Sequence, residues 1–310
     1  MAELRFDGAV AIVTGAGRNL GREYALLLAE RGARVVVNDL GVGISDTDGV
    51  ADAPEVNPAD EVVAEIAAAG GEAVASYDSI ATAEGGAAIV QTALDAFGGV
   101  DIVVNNAGRV RMMPFAAFTD DHIVTVVETQ LEGVLNVSRP AWAHMAEHGG
   151  GRFVNVSSGA ALSGVPGGSV YGMAKMGVVG LTRAMAAEGA PLDITANVIA
   201  PYAKTRPGSG FGPIPWSPEL QEWLHPRLVA PLVGWLAHPD CPARGECFTV
   251  GAGHIARVEL VLHEGLFDRN ATIDTLAARA DEVMGGATSP ITAFGSRAIE
   301  LMMGAFDGPT

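Results

Sequence analysis

Short apolar, β-branched runs alternate with longer stretches of helical period along most of this chain. Residues 9–13, 33–37, 72–76, 101–104, 152–156, 194–199 and 247–250 read as strands, mainly apolar. Between them the period lengthens, and helices are predicted over 22–30, 57–69, 83–97, 120–147, 171–188 and 229–237. Such strands, each separated from the next by a helix, fit a parallel sheet covered on both sides. The expected fold class is therefore α/β, a single doubly wound parallel sheet of about seven strands with helices on both faces. Residues 41–58 are polar and read as a long surface loop. Residues 203–228, rich in Pro, Gly and aromatics, read as a lid over an apolar substrate. Residues 265–310 form a C-terminal helical extension, with helices expected over 272–284 and 296–306. No repeat and no linker divides the chain, so residues 1–310 are read as one domain.

The first strand runs into TGAGRNLG, then a helix, then a second strand ending in Asn38-Asp39. Gly15, Gly17 and Gly21 leave room for a pyrophosphate to approach the backbone and rest on the helix N-terminus. Asp39, at the end of the second strand, is placed to accept bonds from an adenosine ribose. This Rossmann-type unit predicts dinucleotide binding. The fourth strand ends in Asn105-Asn106-Ala107-Gly108, at the carboxyl edge where such folds hold their ligand.

Candidate chemistry lies in 157–175, SSGAALSGVPGGSVYGMAK. Tyr171 and Lys175, four residues apart, share one helix face. With four tyrosines and two lysines in 310 residues, chance pairing at this spacing is rare. A phenol has a pKa near 10 and is a poor base at neutral pH; a neighbouring ammonium is expected to lower it by several units. Ser158, at the end of a strand, is expected to bond the substrate oxygen and fix where the proton goes.

Composition narrows the partners. Hydrophobic residues make up 49% and charged residues 18%, as in globular rather than disordered chains. A formal charge of −17 argues against nucleic acid or an anionic membrane surface. No run approaches the length of a membrane span, and MAELRFDG carries charges where a secretory leader would be apolar. DGPT at the C-terminus is not a peroxisomal address. Cys241 and Cys247 give neither a disulfide framework nor metal spacing, so a reduced, cytoplasmic protein is expected.

TGAGRNLG, Asp39, NNAG, Ser158 and Tyr171-x-x-x-Lys175, in this order and spacing, resemble the short-chain dehydrogenase/reductases. Within that family the strings VVVNDLG, YDS, VVNNAG, VAPLV and VGAG resemble the (3R)-hydroxyacyl-CoA dehydrogenase region of multifunctional enzyme type 2 and its stand-alone bacterial relatives. The resemblance implies NAD as cofactor, a 3-hydroxyacyl thioester or steroid-like alcohol as substrate, and a homodimer or homotetramer. It implies Tyr171 as acid/base, Ser158 as substrate positioner, and Lys175 as ribose ligand and modulator of the phenol. Gln130 falls at the position of a family proton-relay asparagine. It further implies that Gly15, Gly17, Arg18, Asn19, Leu20, Gly21, Asp39, Asp78, Ser79, Asn105, Ala107, Gly108 and Pro201 line the cofactor together with Tyr171 and Lys175.

Several positions depart from the family pattern. Asn19 replaces a glycine, though asparagine tolerates left-handed backbone. Arg18 sits where NADP-using relatives carry a phosphate partner, and Asp39 opposes it by charge. Gln130 alters the relay position, and Tyr202 follows Pro201 where glycine is usual. The alternatives are an NADP-dependent 3-ketoacyl reductase and a catalytically silent nucleotide sensor. His144, Glu147 and His148 match H-x-x-E-H, but at a helix end where exposed histidines suit the dipole; no metal is expected.

Overall fold

A computed structural model describes residues 3–41, 43–44, 50–51, 56–204, 217 and 222–291. They fall into two compact units, Met1–Arg257 and Val258–Thr310.

The first unit is built on an eight-stranded sheet. Its strands are β1 (Val10–Thr14), β2 (Arg34–Asn38), β3 (Ala73–Ser76), β4 (Ile102–Asn105), β5 (Gly151–Val156), β6 (Ile194–Tyr202), β7 (Cys247–Gly251) and β8 (His254–Val258). They lie in the order β8-β7-β6-β5-β4-β1-β2-β3. β1 pairs in parallel with both β2 and β4, Val13 lying opposite Val37 on one side and Val104 on the other. The chain reverses direction across the sheet at β1, which opens a crevice at the carboxyl ends of β1 and β4. The eighth strand exceeds the expected seven. Ala252 and Gly253, at φ of 50° and 77°, join β7 to β8 by a two-residue turn.

Strand residues alternate between two cores, which is why these strands are apolar on both faces. Ala11, Val13, Val35 and Val37 face helices α1 (Asn19–Glu30), α2 (Pro58–Ala68) and, towards the C-terminus, Ala230–Ala237. Val10, Ile12, Val36 and Val103 face α3 (Ala83–Phe97) and the later long helices. Asn57 caps α2 through Oδ1, accepting from Ala59 N at 2.9 Å, with Pro58 in the first turn.

The helix expected over 120–147 is interrupted. α4 (Asp120–Val127) passes through a π-helical turn, Glu128–Glu132, into α5 (Gly133–Glu147). The extra residue in that turn places Gln130 inward. α6 (Gly159–Ser163) and α7 (Ser169–Gly189) follow β5, and α8 is Ala230–Ala237.

In the second unit Val261–His263 pairs antiparallel with Thr288–Pro290, and two short helices, Ile273–Ala278 and Ala280–Met284, break at Arg279. The ribbon was not expected. The helix expected over 296–306 lies outside the described residues, as does most of the lid over 203–228. Lys204 N donates to Leu224 O at 2.7 Å where the chain returns. Among the described residues no helix is long and apolar enough to cross a membrane.

Candidate active site

The glycine loop and the NNAG loop are bolted together at the crevice. Thr14, buried at the end of β1, accepts through Oγ1 from the amides of Asn106 and Ala107, both at 3.0 Å. Asn106 Nδ2 donates back to Thr14 O (2.9 Å) and Gly15 O (3.1 Å). Gly15 sits at φ 62°, and a Cβ there would lie 2.8 Å from the Ala107 Cα. A Cβ on Gly21 would overlap the Gly15 carbonyl oxygen. Asn106 and Thr14 are functional residues that the sequence reasoning passed over, although both stand inside motifs it identified.

Asp39 closes the far side of the loop. Its Oδ2 accepts from Gly17 N and its Oδ1 from Gly41 N, each at 3.0 Å. A Cβ on Gly17 would stand 2.8 Å from that carboxylate. Asn19 takes the left-handed conformation at φ 48°, so asparagine meets the backbone demand that glycine meets elsewhere. Arg18 is extended and caps α1 without a side-chain bond; the first turn of α1 carries no acidic residue. Leu20 packs against the core. A helix N-terminus without acidic side chains, fronted by glycines that leave no Cβ in the way, fits a dinucleotide pyrophosphate.

The other cofactor candidates lie along the same edge. Asp78 is exposed; its carbonyl accepts from Asn38 Nδ2 (3.0 Å) and its Oδ2 from Ser76 Oγ (3.4 Å). Ser79 Oγ accepts from Ala81 N. Asn105 turns inward: Nδ2 donates to Ser138 Oγ (2.9 Å) and Asn155 Oδ1 (2.8 Å), and Oδ1 is buried without a partner. Its side chain is thus a strut between β4, β5 and α5. Pro201, next to last in β6, lies opposite Val250.

The proposed catalytic groups meet at the end of β5. Ser158, in extended conformation, caps α6 by accepting from Ala160 N at 3.2 Å. Tyr171 and Lys175 stand one turn apart on α7, 6% and 4% exposed. The Tyr171 hydroxyl lies near enough to Ser158 for the serine to favour its phenolate. Lys175 Nζ donates to Val156 O, and Ser157 Oγ to Lys175 O, both at 2.7 Å. Further along α7, Thr182 Oγ1 accepts from Asn155 Nδ2 at 2.9 Å, continuing the polar chain from Asn105.

Burial corrects the expected electrostatics. It raises the Tyr171 phenol above its ordinary value, Ser158 pulling the other way. It brings the Lys175 ammonium down to about 7. In the protein alone, then, the lysine does not depress the phenol: an amine this deeply buried is close to losing its own charge at neutral pH. Gln130, 1% exposed, donates through Nε2 to Arg109 O. Its Oε1 is buried and unpartnered, and a Cβ on Gly108 would stand 2.8 Å from its Cδ. The π-turn therefore makes Gln130 a prop beneath 108–109. His144 and His148 stack with ring centroids 3.9 Å apart, His148 Nδ1 meeting the His144 carbonyl.

The profile of the short chain dehydrogenases matches residues 9–206. A Mycobacterium tuberculosis protein named as a short-chain type dehydrogenase/reductase is 45% identical over 275 residues, which cover 88% of this chain and 93% of that one. The mouse peroxisomal multifunctional enzyme type 2 is 45% identical over 255 residues, 82% of this chain but 33% of that enzyme. Among solved structures, a short chain dehydrogenase from Mycobacterium avium superposes with a TM-score of 0.78 at 37% identity, covering 94% of this chain and 99% of that one. The full-length Drosophila melanogaster multifunctional enzyme type 2 gives 0.78 at 32% identity, covering 98% of this chain and 50% of that one. The chain spans between 27% and 58% of the length of the curated multifunctional enzymes it matches. By the extent of these matches and the shared order of glycine loop, NNAG, serine and Tyr-x-x-x-Lys, this chain belongs to the short-chain dehydrogenase/reductase family of nicotinamide-dependent oxidoreductases.

Proposed function

We propose that the chain interconverts a secondary alcohol and a ketone with NAD, acting on a (3R)-3-hydroxyacyl thioester or a similarly lipid-like alcohol. Ser158 and Tyr171, brought together at the end of β5 in the same sheet whose β1 leads into the glycine loop closed by Asp39, carry this reading. Bound there, the nicotinamide supplies the hydride acceptor and a positive charge near the phenol. Ser158 holds the substrate hydroxyl, and Tyr171 takes its proton as the alcohol is oxidised or returns it on reduction. Lys175 binds the ribose and, when protonated, favours the phenolate. Gln130 is a positioning residue that holds 108–109 in place. Gly15, Gly17, Arg18, Asn19, Leu20 and Gly21 receive the pyrophosphate; Asp78, Ser79, Ala107, Gly108 and Pro201 line the remainder.

NAD is favoured over NADP because a 2′-phosphate would meet the Asp39 carboxylate, which outweighs Arg18 on this reading. An acyl-CoA would bring phosphates to an acidic protein; Lys204, Arg227 and Arg257 are the candidate partners, while Arg206 lies outside the described residues. The 45% identity to a multifunctional enzyme type 2 and 34% identity to a Synechocystis 3-oxoacyl-[acyl-carrier-protein] reductase support an oxygenated acyl substrate. The test is NAD- and NADP-linked turnover of matched CoA-thioester and free-alcohol panels. NAD-linked oxidation of a thioester is expected. Turnover with NADP alone would overturn the cofactor assignment.

We also propose a homodimer or homotetramer in the cytoplasm. Residues 258–291 include no buried residue, and a groove of about 350 Å³ along α5 and α7 is lined by Leu135, Trp142, Leu181 and Met185. A second copy would cover such surfaces. Cys241 and Cys247 are buried free thiols, as suits a reducing compartment.

A further inference from the structure

Tyr202, the last residue of β6, has a setting the chemistry above does not use. One glycine clears space for its ring and another for its backbone. Register places Gly251 opposite it, and a Cβ on Gly251 would stand 2.7 Å from the Tyr202 Cβ and overlap its carbonyl oxygen. A Cβ on Gly159 would overlap the Tyr202 hydroxyl. Neither glycine has a positive φ, so the backbone does not require glycine at either position. Gly159 leaves room for the phenol itself, whereas Gly251 leaves room for the backbone and Cβ at 202.

The hydroxyl is thereby delivered to the first residue of α6, one position from Ser158. The four tyrosines differ sharply in what their oxygens do. Tyr77 donates to Asp60, Tyr171 is buried beside Ser158, and the Tyr24 hydroxyl is buried without a partner in the core. Tyr202 is 51% exposed, and its hydroxyl bonds to no protein group among the described residues. A phenol of that kind, held against the residue beside the substrate-positioning serine, is a donor left for something other than protein.

We infer that Tyr202 is a specificity-determining residue whose hydroxyl donates to a second substrate oxygen, the acyl carbonyl of a 3-hydroxyacyl or 3-oxoacyl thioester. In such a molecule that carbonyl stands two carbons from the carbon held at Ser158 and Tyr171. A donor beside Ser158 would distinguish it from a simple secondary alcohol. The inference rests on the oxidoreductase reading for its choice of ligand, so its test is separated from turnover.

The experiment uses the full chain carrying Tyr171→Phe, saturated with NAD, with and without Tyr202→Phe. Calorimetric Kd values are measured for (R)-3-hydroxybutyryl-CoA and for its thioether analogue, in which CH2 replaces the acyl carbonyl. Tyr202→Phe keeps the ring beside Gly159 and removes the donor alone. About a tenfold weaker Kd for the thioester, with the thioether unchanged, is expected; that factor corresponds to about 1.4 kcal/mol. Equal loss on both ligands, no loss on either, or no measurable thioester binding with Tyr202 present overturns the inference. Turnover by protein retaining Tyr171 tests the oxidoreductase reading on its own. A thioester-specific loss without turnover of any alcohol would keep the Tyr202 role and remove that reading.

Discussion

Lys175 is the most informative single group to perturb, because its burial has consequences that require no substrate. The amine lies 4% exposed, donates to Val156 O at 2.7 Å, and has its pKa lowered from 10.5 to about 7. The cause is desolvation, which penalises the charged form. The unfolded chain holds the proton up to about pH 10.4, so between about 7 and 10.4 it binds more protons than the folded protein does. Stability therefore rises with pH across that window. Below 7 both states are charged and the contribution is flat. At about 1.4 kcal/mol per pH unit the full window amounts to about 5 kcal/mol, and the interval from pH 7.5 to 9.5 to about 3 kcal/mol. Lys175→Met removes the titration while filling a similar volume, at the cost of the bond to Val156 O. Guanidinium unfolding midpoints of both proteins, measured from pH 6.5 to 9.5, give the difference curve in which other titrating groups cancel. The gap between wild type and variant should change in favour of the wild type by about 3 kcal/mol as pH rises from 7.5 to 9.5. Parallel curves would show that the lysine stays charged when folded, and would restore the cation-assisted phenol expected at first.

Gly21→Ala puts a methyl group into the Gly15 carbonyl, a backbone atom that has no easy way to yield; NAD binding by fluorescence titration should fall by at least tenfold, and unchanged affinity would refute the cradle. Asn106→Ala strips donors from Thr14 O and Gly15 O and should cost about 1–3 kcal/mol in chemical denaturation. A loss under 0.5 kcal/mol would count against the bolt, being smaller than the lower end of that ordinary range. Asp39→Ala releases both Gly17 N and Gly41 N and removes the charge facing the ribose, so the ratio of NADP to NAD affinity should rise. A ratio that stays put would transfer cofactor choice elsewhere.

The parts legible in the sequence are those in which local pattern and chemistry coincide. The runs at Val10–Thr14 and Arg34–Asn38 could only be two-faced strands, and the glycine spacing between them fixed the loop that joins β1 to α1. Even Asn19 was readable, since its left-handed φ is one that asparagine tolerates. The π-turn at Glu128–Glu132 was not readable: the hydrophobic period hardly changes across it, and the extra residue shows only in the backbone. β8 follows a two-residue Ala-Gly turn rather than the usual Asn-Gly, and the ribbon joining Val261–His263 to Thr288–Pro290 depends on pairing across some 25 residues. The titration of Tyr171 and Lys175 was misjudged for a related reason. Spacing puts a phenol and an amine on one helix face, but only the packing of β5 and α7 around them removes their water, and that loss raises the one and lowers the other.

The central claim is that the Tyr171 oxygen carries the proton exchanged with the substrate while the cofactor is held independently of it. Stopped-flow measurement of NADH appearance from the substrate found in the panel, comparing wild type with Tyr171→Phe at matched NAD occupancy, tests it most directly. The account predicts that the single-turnover rate falls by at least a thousandfold, in the range typical for loss of a general base, while NAD affinity changes by less than about threefold. A Tyr171→Phe protein that reduces NAD at the wild-type rate would contradict it.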